Sequence, residues 1–237
     1  VIHQSNFLFT INPVKDIVRM AHDVGAVTLV DGAQWIPHGR TDIKDIDCDF
    51  YAFSGHKMLG PTGIGILYGK PELLEKMQPF QGGGEMIRLV TMEQSTWNDI
   101  PYKFEAGTPN IAQAIGLGAA VKYIQGIGLD IIQNHGRDLT KYAMQQLSQM
   151  DAIKIHGDQH ERGPVISFEV PGVHPQDLAQ FLDQDGISIR AGQLCAQPIM
   201  DKLGVFSTNR ASFYIYNNEQ DIDIFCESIE KTTKIFA

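Results

Sequence analysis

An unbroken apolar segment directly after a helix-patterned stretch constrains this chain more than any other feature. Over residues 13–24, Val14, Ile17, Val18 and Ala21 recur at helical spacing, and Gly25 supplies a C-terminal stop. Ala26, Val27, Thr28, Leu29 and Val30 then run without polar alternation up to Asp31. A strand covered on both faces, as in a parallel sheet, has that composition. Residues 48–53 and 63–68 read as further strands, and Pro71 opens a short helix that runs through Met77. Strands and helices in this order predict an α/β fold with a mainly parallel sheet.

Periodicity disappears over 78–110, which holds Gly82, Gly83, Gly84 and three prolines. A loop of that length inside a compact domain marks a functional or interfacial segment. Residues 111–125 give a helix rich in Ala and Gly, and Gly126 and Gly128 punctuate the chain after it. Beyond them the pattern changes: a helix over 129–150, a strand over 163–170, a helix over 175–184, strands over 187–190 and 211–216, and a terminal helix from Gln220. The expected organisation is therefore a large α/β domain over 1–125 and a smaller α+β domain over 126–237.

The formal charge of -9, from 28 acidic against 19 basic residues, comes without a Lys/Arg cluster that would track a phosphodiester backbone, which argues against nucleic acid as a partner. The longest apolar runs fall far short of the ~20 residues of a membrane-spanning helix, so no membrane partner is expected. Three scattered cysteines, Cys48, Cys195 and Cys226, match neither a disulfide framework nor a zinc spacing, which suits a reducing, cytoplasmic setting and no metal. The sequence opens on Val1 with residues that read as the end of a strand, as the C-terminal part of a longer protein would.

Ser54, Gly55, His56 and Lys57 follow a strand directly, where the loops of an open parallel sheet collect ligands. Taken alone, Lys57 reads as a solvated lysine. Asp31 alters that reading, because it ends the preceding strand and emerges at the same sheet edge. A carboxylate beside a pyridinium nitrogen and a lysine amine that forms a Schiff base make a pyridoxal-phosphate site, with Ser54 and His56 as phosphate donors. The competing roles are a helix cap for Ser54 and core packing for Asp31. Cys195 lies in a glycine-containing loop after a strand, with an inert buried thiol as its alternative. Cys48, in a strand, and Cys226, on a helix face, suit that inert role better. Arg210 has the fork geometry for a carboxylate, against a surface ion pair.

Residues 31–34 (Asp-Gly-Ala-Gln), 47–57 and 60–65 resemble the cofactor region of class V aminotransferase-fold enzymes, and within them the SufS-type cysteine desulfurases and selenocysteine lyases. Residues 82–87, 104–110 and 190–198 extend the likeness in the family's order over nearly the whole chain. The resemblance implies the C-terminal part of a fold-type-I pyridoxal-phosphate transferase, about 60% of the family's length. By position, Lys57 becomes the Schiff-base lysine, Asp31 the partner of the pyridine nitrogen, Gln34 the contact to the ring hydroxyl, and Ser54 and His56 the phosphate ligands. Thr108 would reach the cofactor phosphate of the other subunit in a homodimer. Asn6, Arg190 and Arg210 would hold the substrate carboxylate, and Cys195 would take sulfur from L-cysteine, or selenium from L-selenocysteine. The persulfide would pass to an acceptor protein of iron–sulfur cluster assembly. A lyase or epimerase of the same class, or a non-catalytic dimerisation module, are the alternatives.

Three departures from the family accompany these expectations. Gln193-Leu194 replaces a His pair before the cysteine, and Phe9 stands where glycine is usual, a bulky side chain that would crowd the chain there. The family's N-terminal half, with its phosphate loop and ring-stacking His, has no counterpart, so the expectation is that this polypeptide alone binds the cofactor poorly or not at all.

Overall fold

A computed structural model describes residues 1–157 and 162–236 and divides the chain into two compact units. One is built from residues 1–3, 13–37 and 41–126, the other from 4–12, 38–40 and the chain from Ile127 onward. The early segments 4–12 and 38–40 thus fold with residues far along the chain.

In the first unit, α1 (Val14–Asp23) buries Val14 and Val18. β1 (Leu29–Asp31) pairs in parallel with β2 (Phe50–Ser54), aligning Val30 with Tyr51 and Asp31 with Ala52. On the other side of β1, Ile2 bridges in parallel to Asp31. β3 (Gly65–Gly69) lies antiparallel to β2, as the short connection between them requires. β1 is shorter than the apolar run that announces it, because the Ala26 amide is still bonded to Ala21 in the turn that ends α1. α2 (Ile43–Ile46) is capped by the Asp42 carboxylate, which accepts from the Lys44 and Asp45 amides. Val14, Val18, Val30, Ile46, Cys48 and Tyr51 form the core on one face of the sheet. Cys48 sits in that core just ahead of β2.

Next to Cys48, at the start of β2, Asp49 accepts from the Thr28 amide (2.7 Å), the Thr28 hydroxyl and His22 Nε2 (both 2.9 Å), with Lys70 Nζ at 3.3 Å. Burial alone would raise this carboxyl, but the bonds from His22, Thr28 and Lys70 outweigh it and hold it well below the usual carboxylate range. α3 (Pro71–Lys76) follows, and within the aperiodic stretch 78–110 a hairpin forms from β4 (Ile87–Val90) and β5 (Ser95–Trp97). α4 (Ile111–Ile127) ends the unit, its last residue falling to the second.

The second unit holds a four-stranded antiparallel sheet of β6 (Lys154–His156), β7 (Val165–Glu169), β8 (Arg190–Gly192) and β9 (Thr208–Ser212), in the order β6-β7-β9-β8. α5 (Leu129–Leu147), α6 (Pro175–Gln184) and α8 (Glu219–Phe236) supply Leu139, Leu178, Leu182, Ile222 and Ile229 to a core that includes Ile166 and Phe168. Phe168 meets the edge of Phe225 at 5.7 Å between ring centres. α7 (Gln197–Leu203) is a short helix after Cys195. Cys226 lies half-buried on α8, where burial pushes its thiol up to about 11. Among the described residues no single helix is long and apolar enough to cross a membrane.

Candidate functional site

The first cluster stands at one edge of the β1–β2–β3 sheet. Aligned residues on paired strands point to the same face, so Asp31, Ala52 and Ser54 share the face opposite the core residues Val30 and Tyr51. Because β1 and β2 are parallel, their C-terminal ends emerge together. The main chain of Asp31 is held by the segment 1–3, donating to Val1 O (2.8 Å) and accepting from the His3 amide (2.9 Å). One carboxylate oxygen of its exposed side chain accepts from the Ala33 amide at 2.9 Å. The core-packing alternative for Asp31 therefore does not hold. Gln34 sits half-buried in the turn that follows.

Behind Asp31, Gly32 lies against the Tyr51 ring: a Cβ there would come within 2.1 Å of ring atoms. Tyr51 Oη is 3.0 Å from Nδ1 of His3, whose ring stacks on Trp35 at 4.7 Å. Burial lowers His3 to about 4 and pushes the Tyr51 phenol up to about 12. This layer of His3, Trp35 and Tyr51 carries no sequence signal, since strand pairing alone brings residue 3 to residue 31.

Lys57 is exposed on a single 3₁₀ turn, Gly55–Met58, directly after β2. The turn is pinned by the Gly55 amide on Ile64 O (2.9 Å), the Gly60 amide on Gly55 O (3.0 Å) and the buried Met58. Gly55 has no room for a side chain: a Cβ would fall 2.8 Å from Ile64. Ser54 flanks the turn without capping it, which leaves its hydroxyl for another partner, and His56 is exposed beside Lys57. Asn110 Nδ2 bonds Gly63 O and the Gly107 amide bonds Gly84 O (2.9 Å), which fix the loop carrying exposed Thr108. Asp31, Gln34, Ser54, His56, Lys57 and Thr108 all belong to this unit.

The second cluster gathers Asn6, Arg190, Cys195 and Arg210 in the other unit. Of the three cysteines only Cys195 is exposed. It occupies a tight turn, closed by the Ala196 amide on Gln193 O at 2.9 Å, in which Leu194 and Cys195 have φ of 55° and 56°. Two side-chain-bearing residues in the left-handed region mark stored strain of the kind found at functional sites. Leu194 is buried with Phe7, Ala196 and Met200. In place of an imidazole before the cysteine, the chain thus has an apolar anchor.

Arg190 and Arg210 oppose each other across β8 and β9. Like charges so placed repel. Arg210 lies below its ordinary value chiefly because it is buried, then because of Arg190, with Cys195 opposing both. Its Nη1 donates to Asn6 O at 2.8 Å, while its buried Nε has no partner among the described residues. The guanidinium is thus turned inward, away from the role of a surface ion pair. An anion between the two guanidinium groups would remove the repulsion and take up the free donor.

Phe9 is buried with its ring close against Gly163, where an added Cβ would fall 2.8 Å from it, and its φ of 54° explains why glycine suits this position. Its ring meets the His38 ring edge-on at 5.9 Å, with Tyr214 also edge-on to His38 at 5.1 Å. Among the described residues no group of His, Cys, Asp or Glu could hold a metal ion.

Residues 1–225 match the family model described as aminotransferase class-V. The chain is 52% identical over 237 residues to a probable cysteine desulfurase of Halalkalibacterium halodurans and 51% identical over 238 residues to a cysteine desulfurase of Haloferax volcanii. All of the chain is covered in both, but it spans only 58% and 56% of the lengths of these relatives. Among solved structures, the cysteine desulfurase CsdA of Escherichia coli superimposes with a TM-score of 0.95 at 38% identity, over 100% of this chain and 59% of that one. The cysteine desulfurase of Thermococcus onnurineus, in its apo structure, gives 0.95 at 40% identity over 99% and 59%. The fold is that of fold-type-I pyridoxal-phosphate enzymes. With the family model matching residues 1–225 and relatives 52% and 51% identical along the whole chain, the chain belongs to the aminotransferase class-V family of pyridoxal-phosphate enzymes.

Proposed function

We propose that this chain carries the lysine and thiol of a cysteine desulfurase, which converts L-cysteine to L-alanine and retains the sulfur as a persulfide on Cys195. One observation carries the reading: the only exposed cysteine occupies a strained turn in the unit where Arg210, opposed by Arg190, presents a buried Nε with no partner among the described residues.

The residues of the first unit fit pyridoxal phosphate by the chemistry of their donors. Lys57 offers a solvent-exposed amine, Asp31 a carboxylate with one oxygen held by Ala33, and Ser54 and His56 polar hydrogens beside a glycine with no space for a side chain. In this reading Lys57, Asp31, Gln34, Ser54 and His56 hold the group, and Thr108 reaches the phosphate of a second subunit in a homodimer. When bound, pyridoxal phosphate supplies an electron sink for negative charge at the substrate Cα. Asp31 keeps a proton on the ring nitrogen, and the Lys57 amine moves the Cα proton. Arg210, with Arg190 and Asn6, orients the substrate carboxylate.

The sulfur step balances without an oxidant. Cys195 as thiolate attacks the substrate sulfur, the S–S bond forms as the substrate C–S bond breaks, and the electron pair returns to carbon, which is protonated on the way to alanine. An exposed thiol on a turn suits onward transfer of the terminal sulfur to an acceptor protein in a reducing, cytoplasmic compartment.

The test uses the chain extended by the N-terminal part of a full-length relative, with the chain alone, expected to bind the cofactor poorly, as comparison. One sample is treated with borohydride and read by mass spectrometry for trapped pyridoxal phosphate, and a separate untreated sample is incubated with L-cysteine. A pyridoxyl adduct on Lys57, absent in Lys57→Ala, together with one extra sulfur on Cys195 and an equal yield of alanine, is the expected outcome. An adduct unaffected by Lys57→Ala, or alanine formed equally by Cys195→Ala, would overturn the reading.

A further inference from the structure

The turn that presents Cys195 is held from outside itself. The peptide plane between Leu194 and Cys195 is set by two torsions, the ψ of residue 194 and the φ of residue 195. Both flanking residues lie in the left-handed region, which residues with a Cβ populate sparsely. Within the turn a single hydrogen bond, from the Ala196 amide to Gln193 O, opposes relaxation. Beyond it, the side-chain amide of Asn6 donates to Leu194 O at 2.8 Å. That carbonyl belongs to the peptide plane in question, so fixing its oxygen restrains both torsions.

Asn6 is itself firmly placed. Its main-chain oxygen accepts from Arg210 Nη1 at 2.8 Å. The next residue, Phe7, is fully buried, and its carbonyl accepts from the Ser167 hydroxyl of β7 at 2.7 Å. Ser5 Oγ accepts from the Phe7 and Leu8 amides, both at 3.2 Å. The amide nitrogen of Asn6 is thus mounted on the sheet that also carries Arg210, and one of its two hydrogens is committed to Leu194.

We propose that Asn6 is the positioning residue of the sulfur-accepting turn: its amide bond to Leu194 O holds the left-handed pair closed and ties Cys195 to Arg210. The sulfur-accepting role of Cys195 rests on the function proposed above; the mechanical role of Asn6 rests on geometry alone. Contact with the substrate carboxylate uses the second N–H of the same amide, so one side chain serves the substrate and the thiol together.

Amide hydrogen exchange on the full chain tests this, with the Ala196 N–H as reporter and the β7 amides as internal reference. Asn6→Ala removes the donor, and Asn6→Asp removes it while keeping the shape of the side chain. Both are expected to exchange the Ala196 N–H about five- to tenfold faster relative to β7, the effect of losing one ordinary hydrogen bond in a local opening. Adding Cys195→Gly, which accepts a positive φ without strain, is expected to bring the protection of Asn6→Asp back toward that of the parent chain. A purely packing role for Asn6 would leave Asn6→Asp unchanged at Ala196, and that result would overturn the proposal. So would failure of Cys195→Gly to restore protection. Asn6→Asp carries the test if Asn6→Ala does not fold. The persulfide assay on the unmutated chain reads out the desulfurase proposal separately, since exchange at Ala196 is measured without substrate or cofactor.

Discussion

Tyr51 closes its ring over Gly32 while its phenol oxygen lies 3.0 Å from Nδ1 of His3. Asp31, next in sequence to Gly32, thereby rests on a buried layer reached from two directions: His3 through the backbone on one side, Tyr51 through register on the other.

Gly32→Ala is expected to be severe. The added methyl falls 2.1 Å from Tyr51 ring atoms, and the ring is 1% exposed, with little space into which to swing. Overpacking of this kind costs about 1–3 kcal/mol or more. The urea midpoint should fall, and pyridoxal-phosphate trapping on Lys57 should fall with it because Asp31 shifts. A midpoint within error of the parent chain would show that Tyr51 moves freely.

Acid should destabilise the first unit before its carboxylates titrate. With His3 lowered to about 4 by burial, the unfolded chain binds a proton below about 6.5 that the folded chain refuses until about 4. Stability from this group is therefore fully present above about 6.5, is lost progressively as pH falls, and levels off below about 4, a loss of order 1–3 kcal/mol. His38, likewise lowered to about 4 by burial, gives a slope of the same sign in the second unit. Urea midpoints from pH 7.5 to 4, followed by the fluorescence of Trp35 and Trp97, both in the first unit, should flatten in His3→Gln, which keeps a polar partner for Tyr51 but does not titrate.

Phe9→Gly sets two effects against each other. Glycine removes the strain of a φ of 54°, about 1 kcal/mol, but deletes a ring that is 3% exposed, a loss of about 3–5 kcal/mol. The lost packing outweighs the relieved strain, so a net loss of about 2–4 kcal/mol is expected in thermal or urea unfolding. A stabilised variant would mean that the family's usual glycine is preferred here as well.

Strain at Cys195 has a measurable sign. Its side chain is exposed, so replacement costs little packing, and Asn tolerates a φ of 56° better than Ala does. Cys195→Asn should therefore be more stable than Cys195→Ala by about 0.5–1 kcal/mol, with neither forming a persulfide. Equal unfolding midpoints for the two would show that the turn holds Cys195 without strain.

Much of this site is legible in the chain itself, and the reason is local. Strand ends and the turns after them are written in short segments, so the apolar run into Asp31 and the Ser54–Lys57 tetrapeptide mark the sheet edge without knowledge of the rest. Helices with strong periodicity match closely: 175–184 is reproduced as Pro175–Gln184, and 13–24 as Val14–Asp23. Strands shift more. The run expected over 187–190 becomes Arg190–Gly192, and 211–216 becomes Thr208–Ser212, because pairing of Arg190 with Arg210, and not apolar content, decides where the ladder begins. The β4–β5 hairpin escapes notice since its strands are largely exposed and lack alternation, and β6, only three residues long, is defined by its pairing with β7.

What the amino-acid order determines by itself is therefore chemical: a lysine and a carboxylate at strand ends, a thiol in a loop, and the alternation that makes an α/β fold. Tertiary structure decides what those groups rest on. Residues 4–12 join the second unit, so Asn6 meets Leu194 across 188 positions, and His3, three residues earlier, joins the first and braces Asp31. No periodicity encodes such contacts, because they arise only when separated segments are buried together and each backbone donor must find its acceptor.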